Sequence, residues 1–169
     1  MITRPMLQHQ KRKTTVTVCL CMIVKNECKI LKRCLDSVSP YISTWVICDT
    51  GSTDGTQDFI KEYFATKKVK GSLYNTQWVN FGQNRTECLR RAQGAAEFLL
   101  MLDADEVVAC SSQLHPFRGL TSAHHAYTVA MDGPLYYRVP ILTIGNQPWT
   151  YAGVTHEHLV IDRKVHSVK

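Results

Sequence analysis

The stretch VICDTGSTDGT (Val46–Thr56) sets an apolar run against two aspartates, two glycines and four hydroxyl side chains. Val46-Ile47-Cys48 reads as the end of a buried strand, and Gly51 and Gly55 permit a tight turn behind it. Asp54 followed by Gln57 has the pattern of a capping box, and Phe59, Ile60, Tyr63 and Phe64 supply the apolar stripe of the helix beyond. Strand, small polar turn and amphipathic helix make the repeating unit of an α/β sheet. The free N–H groups at the helix entrance, with Asp49 at the strand end, suit a ligand rich in phosphates or hydroxyls. No Lys-Ser/Thr follows the last glycine and the glycine spacing is not that of a dinucleotide fingerprint, so neither phosphate loop applies.

The same alternation extends in both directions. Upstream, TVTVCLCMIV (Thr15–Val24) is a run expected of a strand covered on both faces. Asn26 is placed to cap a helix carrying Ile30, Leu31, Cys34, Leu35 and Val38, which Pro40 limits. Downstream, Val69–Tyr74 reads as a third strand, Asn80–Ala96 as a helix, and EFLLMLDADEVV (Glu97–Val108) as a buried strand ending in acids. After Cys110 the pattern turns strand-rich, with Ala126–Met131, Leu135–Ile144 and Tyr151–Ile161 broken by Gly-Pro and Gly-Asn signals. The expected architecture is one α/β domain with a mostly parallel central sheet, helices on both faces and a β-rich C-terminal part.

A chain of 169 residues, 44% hydrophobic and 20% charged, suits a single globular domain and excludes whole-chain disorder. Residues 1–14 read as a basic leader and 15–169 as the domain, in two halves, 15–109 with alternating strands and helices and 110–169 rich in strands. Seven cysteines at positions such as Cys19, Cys21, Cys34 and Cys48 fall within apolar runs. They read as small core residues of a reducing, cytoplasmic compartment, not as a disulfide framework. The net charge of +6 favours an anionic partner. The basic residues are scattered without an aromatic-interleaved groove, which argues against nucleic acid. No run is long enough to span a bilayer, so membrane contact is at most peripheral, through the HQKRKTT segment (His9–Thr15).

Three polar clusters end three of the expected parallel strands: Lys25-Asn26-Glu27, Asp49 to Thr56, and Asp103-Ala104-Asp105-Glu106. Parallel strands bring them to one edge, where open α/β sheets bind ligands. Asp103 and Asp105, two apart in an extended segment, can face one hard cation, with magnesium or manganese favoured over zinc by the oxygen donors. Arg85 near a helix start can grip a diphosphate with its fork. VTHEHL (Val154–Leu159) gathers His156, Glu157 and His158. In an extended segment Glu157 would face away from both histidines, so all three serve one site only if the strand breaks.

Together CMIVKNE, CLDSV, VICDTGSTDGT, NFGQNRTECLRRA, LLMLDADE and WTYAGVTHEHL, in this order over residues 16 to 160, resemble a family 2 glycosyltransferase of the GT-A fold. The similarity is greatest to its small bacterial and phage-type branch. The resemblance implies a nucleoside-diphosphate sugar donor, with a UDP-sugar as the family default, and an acceptor that is a glycan, lipid-linked saccharide or peptide. It implies that Val24, Asn26 and Glu27 line the nucleoside, that Asp49 contacts base or ribose, and that Arg85 lies near the diphosphate. Asp103 and Asp105 match the DxD motif that binds ribose and Mn2+ or Mg2+, and His156 is a further metal candidate. Inverting transfer needs a carboxylate base, for which Glu157 is the first candidate and Asp132 the reserve. Relatives usually continue beyond the histidine-glutamate segment, so a silent nucleotide-sugar-binding module or a truncated catalytic domain is the alternative.

Overall fold

The computed structural model describes residues 16–109, 116–117, 119–131, 137–153 and 157–162. The leader, Asp132 and His156 lie outside them. Strands β1 (Val18–Val24), β2 (Thr44–Asp49), β3 (Gly71–Asn75) and β4 (Phe98–Met101) alternate with helices α1 (Leu31–Val38), α2 (Thr56–Lys67) and α3 (Phe81–Ala92). Strands β5 (Ala126–Met131), β6 (Tyr137–Ile144), β7 (Trp149–Ala152) and β8 (His158–Ile161) follow. A six-stranded sheet has the order β3-β2-β1-β4-β6-β5. Its first four members run parallel, β6 is antiparallel to β4, and β5 is antiparallel to β6. The mostly parallel α/β sheet expected from the sequence is therefore present.

Period-two alternation along β1 feeds two cores. Val18, Leu20, Met22 and Val24 join Leu31 and Leu35 of α1 and Ile60 and Phe64 of α2 in one cluster. Cys19 and Cys21 join Val46, Cys48, Leu99 and Met101 with Cys88, Leu89 and Ala92 of α3 in the other. Helices thus cover both faces, which explains why β1 is apolar at consecutive positions. Each fully buried Leu, Ile or Phe contributes roughly 1.5–3 kcal/mol. Six cysteines among the described residues are free, and all but Cys28 are buried. They fill the core as the sequence suggested.

Four local expectations are corrected. Asn26 does not cap α1, whose N-cap is Ile30; it adopts φ 58° and joins another loop. The Asp54–Gln57 capping box is not made, because α2 starts from Gly55 and Asp54 instead accepts from Thr56 N at 3.1 Å. The third strand begins at Gly71, not Val69, since the backbone of Val69 closes α2 by donating to Phe64 O at 3.2 Å. The expected strand Tyr151–Ile161 breaks into the antiparallel pair β7–β8, a separate two-stranded sheet packed on α3.

Gly145 is stitched into the sheet end by Gly145 N to Glu97 O and Gly94 N to Gly145 O, both 2.8 Å. A Cβ there would lie 2.0 Å from the carbonyl oxygen of Ala96. That atom is backbone and cannot swing aside. Gly145→Ala is expected to lower unfolding free energy by at least about 1–3 kcal/mol in urea titrations. A loss below about 0.5 kcal/mol would mean that the segments part without cost.

Candidate functional site

The parallel register carries the ends of β1, β2 and β4 to one edge. Val24 pairs with Asp49 across β1 and β2, and Leu102 N donates to Cys21 O at 3.0 Å as the chain leaves β4. The three polar clusters of the sequence therefore meet. The first two are zipped together. Asn26 N donates to Ser52 Oγ, Glu27 N to Thr56 Oγ1 and Cys28 N to Asp54 Oδ2, at 2.8, 2.9 and 3.1 Å. Thr53 N returns a bond to Asn26 Oδ1 at 2.8 Å, which the left-handed backbone of Asn26 makes possible. Many small polar residues of DTGSTDGT thus hold backbone, and do not wait for a ligand.

Asp49 is fully buried. Its Oδ1 accepts from Gly51 N, Ser52 N and Gln57 Nε2 at 2.9, 2.8 and 3.0 Å. Gln57 therefore supports the turn, a role its capping-box position concealed. Asp49 Oδ2 is buried without a hydrogen-bond partner among the described residues. A carboxylate oxygen so placed carries a desolvation cost that a ligand N–H or O–H can offset.

Arg85 gathers the acids of the other side. Its Nη2 donates to Asp103 Oδ1 and Oδ2 at 2.9 and 2.6 Å, while Nη1 bonds Glu157 Oε1. Its side chain is only 17% exposed, and the guanidinium lies 5.4 and 5.9 Å from the ring centres of Phe81 and Tyr151. Burial alone would lower its pKa. The charge and hydrogen bonds of Asp103, helped by Tyr151 and Glu157, outweigh that and raise it. Glu157 reaches this point because the β7–β8 pair docks tightly on α3. Tyr151 N donates to Thr86 Oγ1 at 2.8 Å, and Gly82 lets the Gly153 carbonyl approach to 2.6 Å from where a Cβ would stand. Glu157 directly precedes β8 and meets Arg85 at the sheet edge.

The acidic turn is tied down separately. Asp103 N donates to Glu106 Oε2 at 2.8 Å, Glu106 N to Asp103 O at 3.1 Å, and Arg33 Nη2 to Asp105 O at 2.9 Å. Burial first, and then Asp103 and Asp105, raise the Glu106 carboxyl.

The model of glycosyl transferase family 2 matches residues 19–134, which span the parallel half of the sheet and the acidic turn. The chain belongs to that family. Among curated relatives it is 38% identical over 90 residues to a TPR repeat-containing protein of Synechococcus elongatus, covering 53% of this chain and 20% of that one. It is 32% identical over 98 residues to the SPbeta prophage-derived glycosyltransferase SunS of Bacillus subtilis, covering 57% and 22%. The matched segments therefore span about a fifth of these relatives. Similar solved structures include the mannosyltransferase PcManGT of Pyrobaculum calidifontis in complex with GDP-Man and Mn2+. It has a TM-score of 0.48 and 23% identity, covering 54% of this chain and 28% of that one. Another is Staphylococcus aureus TarS 1–349 in complex with UDP, with a TM-score of 0.45 and 23% identity, covering 53% and 27%.

Val24, Asn26, Glu27, Asp49, Arg85, Asp103 and Asp105 lie at or beside the carboxyl edge, and Glu157, outside the matched residues 19–134, joins them through Arg85. His156 and Asp132 fall outside the described residues, so their expected roles gain nothing from the geometry. His158, in β8, is exposed. Asp103 and Asp105 offer hard oxygens suited to Mg2+ or Mn2+, ions that keep waters and share phosphate oxygens. Among the described residues no group of three or more His, Cys, Asp or Glu is arranged to hold a metal. The pair fits a divalent ion only together with ligand oxygens, and Arg85 already engages both oxygens of Asp103. Sequence reasoning named Gln57 and Glu106 but not their bonds to Asp49 and to Asp103 N, and it missed the aromatic pair Trp78 and Phe81, whose signal was two large rings within the polar stretch NTQWVNFGQN (Asn75–Asn84).

Two expectations follow from these charges. Arg85→Met removes the guanidinium from Asp103, so Mn2+ binding read by electron paramagnetic resonance should tighten roughly 10- to 100-fold, the equivalent of a lost charged hydrogen bond. Unchanged or weaker binding would show that Arg85 and the ion do not compete. The Glu27 carboxyl is raised from its ordinary 4.5, first by burial and then by Asp105, Asp54 and Asp103. The folded state then holds that proton more tightly than the unfolded chain, so stability falls as pH rises from 4.5 through the folded value. Glu27→Gln should melt above the parent at pH 7 and level with it near pH 4. An offset that ignores pH contradicts this origin.

Proposed function

We propose that this domain transfers a sugar, with inversion, from a nucleoside-diphosphate sugar to a hydroxyl or other nucleophilic acceptor. A UDP-sugar is the favoured donor and Mn2+ or Mg2+ the favoured ion. The observation that carries the reading is Arg85 joining Asp103 and Glu157 at the sheet edge where Val24, Glu27 and Asp49 converge. Membership of family 2 supports it, as does similarity to a relative named as a glycosyltransferase.

On this reading Val24, Asn26 and Glu27 border the nucleoside, and Asp49 Oδ2 accepts a hydrogen bond from base or ribose. Asp103 and Asp105 would hold the ion and the ribose. A bound divalent ion would act as a Lewis acid toward the diphosphate leaving group. Arg85, released from Asp103, turns its fork to the diphosphate. Glu157 takes the acceptor proton as the acceptor atom bonds the anomeric carbon from the face opposite the diphosphate. The carbon–oxygen bond to phosphate breaks and its electron pair leaves with the nucleoside diphosphate. Glu157 can act only after its bond to Arg85 opens, so donor binding and base release are one event. Asp132 stays the reserve base and His156 a further metal candidate.

A second reading is a silent nucleotide-sugar-binding module. It is favoured by one observation, that the unliganded chain commits both oxygens of Asp103 and one of Glu157 to a single arginine. Donor turnover separates the two. Thermal shift with UDP-sugars and Mn2+ should show stabilisation, and Glu157→Gln should keep it while cutting hydrolysis or transfer by about 10²–10⁴-fold. Unchanged turnover in that variant removes Glu157 from the mechanism. Stabilisation without any turnover in the parent favours the silent module.

A further inference from the structure

We infer that Trp78 and Phe81 form a stacking platform for the nucleobase of the donor, a subsite built from the connection between β3 and α3. Trp78 is 41% and Phe81 51% exposed, and their rings meet edge to face with centres 4.9 Å apart. Both line one cavity of about 260 Å³ whose other walls include Ile23, Val24, Lys25 and Thr50 at the ends of β1 and β2. Together with Val79, 51% exposed, the two rings make a contiguous apolar patch of the kind that marks a binding surface.

The connection is held in place. Buried Asn84 accepts from Val79 N at 2.9 Å and donates to Gln77 O at 2.8 Å, gripping the chain on both sides of Trp78. At the other end Thr76 N and Oγ1 both donate to Asp49 O, at 2.8 and 3.3 Å. Asn80 caps α3 by accepting from Gln83 N at 2.8 Å, which fixes Phe81 as the first helical residue. A buried amide spent on pinning an exposed indole makes a preorganised surface, not a mobile loop.

The chemistry of the occupant follows from the walls. The face offered is flat and aromatic, which suits a planar ring. The connection hangs from the carbonyl of Asp49, the residue whose Oδ2 has no partner among the described residues. Phe81 also contacts Arg85, 5.4 Å from its ring centre, so one ligand can stack at Trp78 and extend past Phe81 to the Arg85–Asp103 pair. A nucleoside diphosphate has that order of parts: flat base, ribose, then phosphates. The inference rests on the donor reading above and adds where the base lies.

The test uses the full chain, in which Trp78 is the exposed tryptophan while Trp45 and Trp149 are each 6% exposed. Tryptophan emission is titrated with UDP, GDP, CDP and ADP in the presence of Mn2+, with inorganic pyrophosphate, ribose 5-phosphate and the free monosaccharides glucose and mannose as base-free controls. The diphosphate that binds should change the emission, and the controls should not. Trp78→Ala should abolish that change and weaken binding by roughly 5- to 150-fold in calorimetry, as loss of one base–aromatic stack does. Phe81→Ala should weaken it as well, Trp78→Phe should recover most of it, and pyrophosphate binding should be the same in all. If both alanine variants bind the diphosphate like the parent, the platform is overturned and the donor reading stands. If none of the four diphosphates binds the parent, both fall. If a free monosaccharide alone changes the emission, and Trp78→Ala removes this, the platform belongs to a sugar ring and the base assignment is overturned.

Discussion

The site depends on one guanidinium serving two carboxylates. Asp103 comes from the end of β4 and Glu157 from the connection between β7 and β8, and Arg85 on α3 is the part that touches both. Two carboxylates beside each other resist ionising together unless a cation lies between them. The side chains of Arg85, Glu157 and Asp103 are 17%, 13% and 40% exposed, so the bonds to Asp103 are partly screened by water and those to Glu157 less so. The enclosing rings of Phe81 and Tyr151 limit where the guanidinium can go. Three elements distant in sequence are thereby fixed in one place by charge balance, once α3 is packed on the sheet.

That packing is what the parallel sheet provides. The Cys88, Leu89 and Ala92 face of α3 covers β1, β2 and β4, and this sets the start of the helix, with Arg85, at their carboxyl edge. The β7–β8 pair needs a close approach to the same helix, which Gly82 permits and Thr86 secures. Catalytic groups placed by packed elements keep their geometry better than groups on free loops. The two loops after β1 and β2 reach the same end by another means, spending hydroxyls and carboxylates on each other's backbone N–H groups. Of the carboxylate oxygens in the second loop, Asp49 Oδ2 is the one left buried without a partner among the described residues.

The strands, the helices and their alternation were legible because each has its own apolar period, and the convergence of three polar clusters followed from parallel pairing. The loops were legible only in composition. Asn26 looked like a helix cap because asparagine favours that role, yet the same side chain tolerates a left-handed backbone, and the second property decided. Gln57 sat three residues after Asp54, but a glycine N-cap left it free to turn to Asp49. The run from Tyr151 to Ile161 reads as one strand because its residues favour extended backbone. Its one local signal of a break is Gly153, which takes φ 103° directly after β7. Contacts across 72 residues, such as Arg85 to Glu157, are invisible to any periodic pattern.

The acid edge also explains why an arginine, and not a lysine, suits position 85. Glu27 and Glu106 both have raised carboxyl pKa values, mainly from burial and with Asp103 and Asp105 adding to it, so this edge is short of positive charge even with Arg85 in place. A lysine would offer one point charge, whereas the planar fork meets Asp103 and Glu157 from two nitrogens at once. On the proposed function, a donor arrives with two phosphates and a divalent ion. If the fork moves to the phosphates while the ion takes its place at Asp103, positive charge beside the acids is conserved and Glu157 loses its partner. The base would then be freed by the ligand whose transfer it assists, and in the unliganded chain it stays bound to Arg85.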